Sequence, residues 1–254
     1  MVEIDVSQLS KTFGNANNTA VLREIDLTIS KGEIVAIRGD NGTGKTTFLN
    51  LIAGIEDPTK GSISFQDFDR ERLRVGYAQQ DYTSSLLPWF DVIDNVSLPL
   101  RLTGIPTEKR RRSAVDLLQS LGFRLPPRAF PHQLSGGQRQ RIAIARALIH
   151  QPHLLLLDEP FANLDAHTSR DLQEVLLSLH YERRQTIVFI SHDLDHCVYF
   201  ADRILLLNGR PATIIKEFRV PLARPRNRAM LLTNEYNNIR SSIIAEEEAM
   251  YAKR

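Results

Sequence analysis

The sequence predicts an α/β fold: a parallel sheet carrying an inserted helical lobe. Two observations predict the sheet. Glu33-Ile34-Val35-Ala36-Ile37 reads as a strand, runs into a glycine-rich turn, and is followed by a helical stretch from about Lys45 to Ala53 closed by Gly54. Leu154 to Leu157, Thr186 to Ile190 and Ile204 to Leu207 are continuous apolar runs, the pattern of strands buried on both faces. A third observation predicts the lobe: between about Leu86 and His150 the strand signal vanishes.

The remaining elements follow the same reasoning. Shorter alternating segments near Val2 to Leu9, Leu22 to Ile29 and Ser62 to Phe65 predict a small antiparallel sheet beside the main one. Within the lobe, Ala114, Leu117, Leu118 and Leu121 fall on one helix face, ended by Gly122. A further helix is expected from Gly137 to Ile149, and others around Ala166 to Glu182 and Leu194 to Ala201. After Pro221, the Pro225-Arg226-Asn227 turn leads into a polar helix with Tyr236, Ile239 and Ile243 on one side. These readings divide the chain into a domain over residues 1–220, with the lobe at about 86–150 inserted, and a helical tail over 221–254.

Composition narrows the function classes. With 32 basic and 30 acidic residues well mixed among 254, there is no electrostatic case for nucleic acid. Lys109-Arg110-Arg111-Arg112 opens an amphipathic pattern and reads as a solvated helix face. The single cysteine, Cys197, excludes an internal disulfide and fits a reducing compartment. No apolar run approaches the roughly 20 residues that cross a bilayer, and no signal peptide is visible after Met1, so any membrane role is expected to come through a partner.

Three motifs carry chemistry. Gly39-Asp40-Asn41-Gly42-Thr43-Gly44-Lys45-Thr46 follows a strand and opens a helix, the context in which such a loop wraps backbone N–H groups around phosphates. Lys45 is expected to reach the β- and γ-phosphates of a nucleotide and Thr46 to ligate Mg²⁺, with Thr47 the neighbouring hydroxyl donor. Asp158 and Glu159 end a buried strand and emerge where ligands bind in such sheets. Asp158 is assigned to Mg²⁺ and Glu159 to the attacking water. Gln80, between the α/β part and the lobe, is placed to touch the metal or the water, and His192, in Ser191-His192-Asp193, to bond the γ-phosphate. His192, His196 and Cys197 also have a zinc-like spacing, but no fourth ligand is evident. Third, Leu134-Ser135-Gly136-Gly137-Gln138 opens a helix on the lobe, a second anion-ready terminus. One nucleotide does not need two such termini from one chain. Two chains head to tail would give each ATP one from each.

With these motifs the chain resembles the ATP-binding-cassette (ABC) ATPase family over nearly its full length. The likeness rests on the Walker A loop Gly39 to Thr46, Gln80, the signature Leu134 to Gln138, the Walker B run with Glu159, the D-loop Asn163-Leu164-Asp165, and His192. It implies a P-loop NTPase (RecA-like) core with an antiparallel β subdomain and a helical subdomain, a dimer enclosing two ATP molecules, and adenine stacked on Phe13. Gln80-Asp81, Leu86-Leu87-Pro88-Trp89, Asp94-Asn95-Val96, Gly209-Arg210-Pro211 and Pro221 to Arg226 further resemble the nitrate/sulfonate/taurine importer subfamily. That likeness implies a peripheral motor on the cytoplasmic face of the inner membrane. Its partners would be a permease, docked along Gln80 to Val96, and through it a solute-binding protein. Trp89 is read as either part of that contact or core-packed. Asp40, Asn163, His196-Cys197 and the longer Thr83-Ser84-Ser85 segment depart from the subfamily pattern. Two alternatives stay open: a soluble ABC ATPase of the cluster-assembly type, and an exporter motor.

Overall fold

The computed structural model describes residues 1–14, 18–123, 128–162 and 164–251. Among these residues nine strands form one sheet in the order β4-β1-β2-β9-β8-β3-β7-β6-β5. In chain order these are β1 (Glu3–Phe13), β2 (Thr19–Ile29), β3 (Ile34–Arg38), β4 (Lys60–Gln66), β5 (Val75–Ala78), β6 (Leu154–Asp158), β7 (Thr186–Ile190), β8 (Arg203–Gly209) and β9 (Ala212–Arg219). Strands β5, β6, β7, β3 and β8 run parallel, and the three continuous apolar runs all lie among them. The antiparallel group β4-β1-β2 is present but is not a separate sheet. It joins the rest where β2 runs beside β9 at Leu22 and Ala212, and β9 pairs antiparallel with β8.

Side-chain alternation in the parallel strands builds two cores from the same strands. Ile34, Ala36, Leu155, Leu157, Ile187 and Phe189 point to one face, while Val35, Ile37, Leu154, Leu156, Val188 and Ile190 point to the other. Helix α1 (Lys45–Ala53) fills the second core: Phe48, Leu49, Leu51 and Ile52 are buried there with Ile4, Val6 and Leu9 of β1. The helix is therefore clamped between the parallel and antiparallel parts of the sheet. Gly54, with φ 76°, closes it in the left-handed conformation that glycine adopts without a Cβ penalty.

The helical lobe occupies the chain between β5 and β6. It consists of α2 (Tyr82–Ser85), α3 (Val92–Leu102), α4 (Thr107–Ser120) and α5 (Gly136–Leu148). Ala114, Leu117 and Leu118 of α4 are buried as their spacing requires, and Leu121 just past its end with them. Fully buried Asn95 pins the segment before α3. Its Oδ1 accepts from the Leu87 amide at 2.8 Å and its Nδ2 donates to Leu87 and Phe90 carbonyls at 3.0 Å each. That scaffold holds Trp89 outward at 67% exposure, so Trp89 is not a core residue.

In the first core with the lobe, opposite α1, lie α6 (Ala166–Arg183) and α7 (Leu194–Phe200), and the tail ends in α8 (Asn234–Tyr251). Tyr236 and Ile243 bury α8 in the first core, with Ile239 packed partly buried beside them. Arg226 ties the tail down: its Nη1 donates to the Val198, Tyr199 and Ala201 carbonyls at 3.2, 3.0 and 2.7 Å, satisfying carbonyls the end of α7 leaves over. No described helix is long and apolar enough to cross a membrane.

Candidate nucleotide site

The loop between β3 and α1 is shaped by glycines that cannot be replaced. At Gly39 a Cβ would lie 2.3 Å from the Leu207 carbonyl oxygen, and at Gly44, where φ is 85°, 2.6 Å from Val21 Cγ1. Gly44 is also the N-cap of α1, and no side chain caps it. The N-termini of α3, α5, α6 and α7, by contrast, are capped by Asp91, Ser135, Asp165 and Asp193. The α1 terminus therefore presents amide N–H groups and the positive end of its dipole to whatever lies in front of it.

In front of it is a cleft of about 360 Å³ that gathers residues from five separate stretches of chain: Asn41, Gly42, Gly44 to Thr47, Gln80, Asp158, Glu159 and His192, with Val21 and Ile190. All but Val21, which reaches in from β2, enter from the carboxyl end of a parallel strand or the loop after it, β3, β5, β6 and β7, which is why positions so far apart converge. Gly39 and Asp40 lie beside it, in a second cleft of about 300 Å³ that shares Asn41 and His192. Thr43 is buried, its Oγ1 donating to the Asp40 carbonyl at 2.9 Å and so tightening the loop.

Lys45 Nζ donates to the carbonyls of Gly39 and Asp40 at 2.9 and 2.8 Å. Burial lowers its pKa, with the nearby carboxylates Glu159, Asp158 and Asp40 working against that. Thr46 Oγ1 donates to Asp158 Oδ2 at 2.7 Å. Asp158 has its pKa raised by burial, partly offset by that hydrogen bond and by Lys45. Glu159 is pushed up to about 7, first by burial and then by Asp158. Its backbone sits at φ 53°, a left-handed conformation costly for a side chain with a Cβ and frequent at functional sites. Its Oε1 lies 3.0 Å from His192 Nε2, a close contact without a formed hydrogen bond. His192 has its pKa lowered by burial, Lys45 and Arg38, which keeps the ring neutral near pH 7.

Three residues that sequence reasoning did not single out hold this arrangement. Tyr82 Oη donates to the Asp158 carbonyl at 2.7 Å, and Gln140 Nε2 donates to the Glu159 carbonyl at 3.2 Å. Both come from the helical lobe. Arg38, just before the loop, donates through Nη1 to the His192 carbonyl. None of the three is marked by a sequence signal of its own; it is the structure that buries Gln140 within an otherwise apolar helix face.

Two expected groups lie elsewhere. Phe13 ends β1, 38% exposed, outside the cleft; Val21 of the neighbouring strand lines it instead, and Lys11 Nζ stands 4.7 Å from the Phe13 ring centre. Ser135 to Gln138 are also absent from the cleft. Ser135 and Gln138 form a capping box at the head of α5: Ser135 Oγ accepts from the Gln138 amide at 3.3 Å and Gln138 Oε1 from the Ser135 amide at 2.8 Å. Ser135 and Gly136 are exposed, and a Cβ at Gly136 would meet nothing within 4 Å. Asn163 lies outside the described residues. His196 and Cys197 turn away from the cleft: His196 Nε2 is 3.1 Å from Ser169 Oγ, and Cys197 is wholly buried.

The donor set suits Mg²⁺. Thr46 hydroxyl, Gln80 amide and Asp158 carboxylate are hard oxygen ligands, and there is no three-residue His/Cys/Asp/Glu cluster among the described residues. A sparse oxygen set of this kind is how proteins hold Mg²⁺ together with substrate phosphates.

Comparison with known proteins agrees with this geometry. The profile of the family described as "ABC transporter" matches residues 22–162. An uncharacterised ABC transporter ATP-binding protein of Methanocaldococcus jannaschii is 37% identical over 97% of this chain and 92% of its own length. An aliphatic sulfonates import ATP-binding protein of Rhodococcus jostii is 42% identical over 83% of this chain and 82% of its own. Among solved structures, the dimeric post-hydrolysis state of an ATP-binding cassette bound to ADP and phosphate superposes with a TM-score of 0.78 at 30% identity, covering 87% of this chain and all of that one. With a family match of this extent and a fold and cleft of this form, the chain belongs to the ABC transporter family, as an ATP-binding, ATP-hydrolysing cassette.

Proposed function

We propose that this chain is the ATP-hydrolysing motor of a membrane importer and works as a pair of chains that sandwich two ATP molecules. The observation that carries the sandwich is the separation of two glycine-rich helix N-termini. The uncapped α1 terminus faces the cleft, whereas the exposed α5 terminus, Ser135 to Gln138, stands outside it. A second copy, turned head to tail, supplies its α5 terminus to the open side of the first copy's cleft. The related solved cassette is dimeric, which supports the reading.

In that arrangement the α1 terminus, Lys45 and the loop amides Asn41 to Thr47 hold the triphosphate, and the aromatic Phe13 serves adenine. Thr46, Gln80 and Asp158 would hold Mg²⁺, which neutralises phosphate charge when bound. Glu159 orients and deprotonates the attacking water, a role suited to a carboxylate pushed up to about 7. His192 is placed to contact the γ-phosphate as a neutral donor. Tyr82 and Gln140 connect the lobe to the backbone of Asp158 and Glu159, so closure around ATP and movement of the lobe are mechanically joined.

The importer reading draws on the relatives and on the lobe's surface. Trp89 and Leu102 are exposed at 67% and 80%, and an apolar cleft of about 340 Å³ opens between α3 and β5, lined by Leu98, Pro99, Leu102 and Tyr77. These features suit a coupling helix of a permease, and in this reading the chain works at the cytoplasmic face of the membrane. A solute-binding protein and a small anionic solute, such as the sulfonates named for the Rhodococcus relative, complete the proposal.

Glu159→Gln tests the mechanism: ATP binding persists while turnover falls by roughly 10²-fold or more. Lys45→Ala is expected to weaken ATP affinity itself, read by nucleotide titration. Near-normal turnover in the first variant refutes the role of Glu159. Affinity purification from detergent extract tests the partner: recovery of a polytopic permease supports import, and recovery of soluble partners alone favours a non-transport assembly.

A further inference from the structure

We propose that Glu247, on the C-terminal helix, is a positioning residue of the nucleotide site: it holds the Arg38 guanidinium in the orientation that pins His192. The inference rests on the ATPase site as read above and adds the tail to it.

Arg38 is the last residue of β3 and directly precedes Gly39 of the phosphate loop. Its guanidinium is gripped from the far side by Glu247, with Nε donating to Oε1 at 2.7 Å and Nη2 to Oε2 at 3.3 Å. Its remaining arm, Nη1, donates to the backbone carbonyl of His192. The two side chains of the ion pair are only 21% and 12% exposed, so the pair is shielded more than an ordinary surface bridge. Arg38, Glu247 and His192 line the cleft of about 300 Å³ that abuts the nucleotide cleft and shares Asn41 and His192 with it.

The geometry forms a chain of contacts. Tyr236 and Ile243 anchor α8 in the core, and Glu247 lies one turn beyond Ile243, on the same face. Its two-pronged grip leaves the guanidinium one way to lie, because both groups are planar and the fork fixes orientation as well as distance. In that orientation the third arm fixes the His192 backbone, and the His192 ring stands 3.0 Å from Glu159. The Arg38 charge also reaches the reacting groups: it lowers the pKa of Glu159, His192 and Lys45. An arginine one residue from a phosphate loop, without the Glu247 grip, has a bidentate phosphate within its chemistry. Glu247 keeps it turned toward His192 instead.

The test uses the full chain with magnesium and ATP. Glu247→Gln is expected to lower kcat roughly 3–10-fold, since small displacements of catalytic groups cost rate steeply, while KM for ATP stays within about twofold. Arg38→Gln combined with Glu247→Gln is expected to be no worse than Arg38→Gln alone, because the two act through one contact. The His192 ring resonances, followed by NMR without nucleotide, are expected to shift in Glu247→Gln. Wild-type kcat with unmoved His192 signals, or losses that add in the double variant, overturn the proposal. So does a fall in kcat matched by unfolding at assay temperature. Should the wild-type chain hydrolyse no ATP, the ATPase reading falls, and the His192 resonances by themselves decide whether the relay exists.

Discussion

Glu159 concentrates the physics of the site in one residue. It is 6% exposed, lies next to another carboxylate, and sits in a left-handed backbone conformation. Its pKa in the fold is about 7, against an ordinary value of 4.5 in the unfolded chain. A raised carboxyl contributes no penalty below pH 4.5, where it is protonated in both states, and weighs fully against folding once pH passes 7. Replacing it with uncharged glutamine is therefore expected to stabilise the nucleotide-free protein at pH 8 by on the order of 1–3 kcal/mol, with the advantage vanishing by about pH 4.5. Thermal melts of both proteins across that range check this; a gap independent of pH rejects it. Cys197 gives a second residue-scale expectation. Its thiol pKa is raised by complete burial, so a thiol reagent at pH 8 should label it only after denaturant unfolds the chain. Rapid labelling of the native protein contradicts the packing described.

Among the elements, β5 shows how a strand with little sequence signal becomes indispensable. It is four residues long and contains Gly76, so neither alternation nor length marks it in the sequence. Its importance lies in what crosses it: a Cβ on Gly76 would come 2.1 Å from the Ala147 carbonyl oxygen and 3.0 Å from Pro152 Cγ. Helix α5 lies directly on the strand there. Gly76→Ala must push α5 off, and is expected to destabilise by about 1–3 kcal/mol. Denaturant unfolding measures it, and an unchanged midpoint argues against this contact. Strand β9 was equally silent because Ile214 and Ile215 run straight into Lys216 and Glu217, giving neither alternation nor a continuous apolar run, yet it is the strand that joins the antiparallel group to the parallel one. By contrast, α1 was legible to the residue, because a glycine in left-handed conformation marks each of its ends.

For the whole molecule, the decisive expectation is association. In one chain the cleft and the α5 terminus do not meet. Saturated with magnesium and ATP, the Glu159→Gln protein is expected to elute as a dimer in gel filtration. Gly136→Asp separates fold from assembly. The position is exposed, and a Cβ there meets nothing within 4 Å, so the monomer should melt as the wild type does. A carboxylate placed opposite the partner's phosphates should block the dimer and cut turnover by roughly 10²-fold. A Gly136→Asp chain that dimerises and hydrolyses normally would remove α5 from the interface.

What the sequence alone determined were the pieces whose chemistry is local. A phosphate loop needs consecutive residues with particular backbone freedom, a buried strand needs a consecutive apolar run, and a capping box needs partners three apart. Each is written in neighbouring letters, so Gly39 to Thr46, Leu154 to Glu159 and Leu134 to Gln138 could be found by inspection. The tertiary structure alone decided which distant residues meet. It brought Thr46 against Asp158 across 112 positions and Arg38 against Glu247 across 209, hung the backbone of Asp158 and Glu159 from Tyr82 and Gln140, and turned Trp89 outward. Such pairings carry no periodicity and no spacing rule. They exist only once the sheet order and the packing of the helices have fixed where each strand ends.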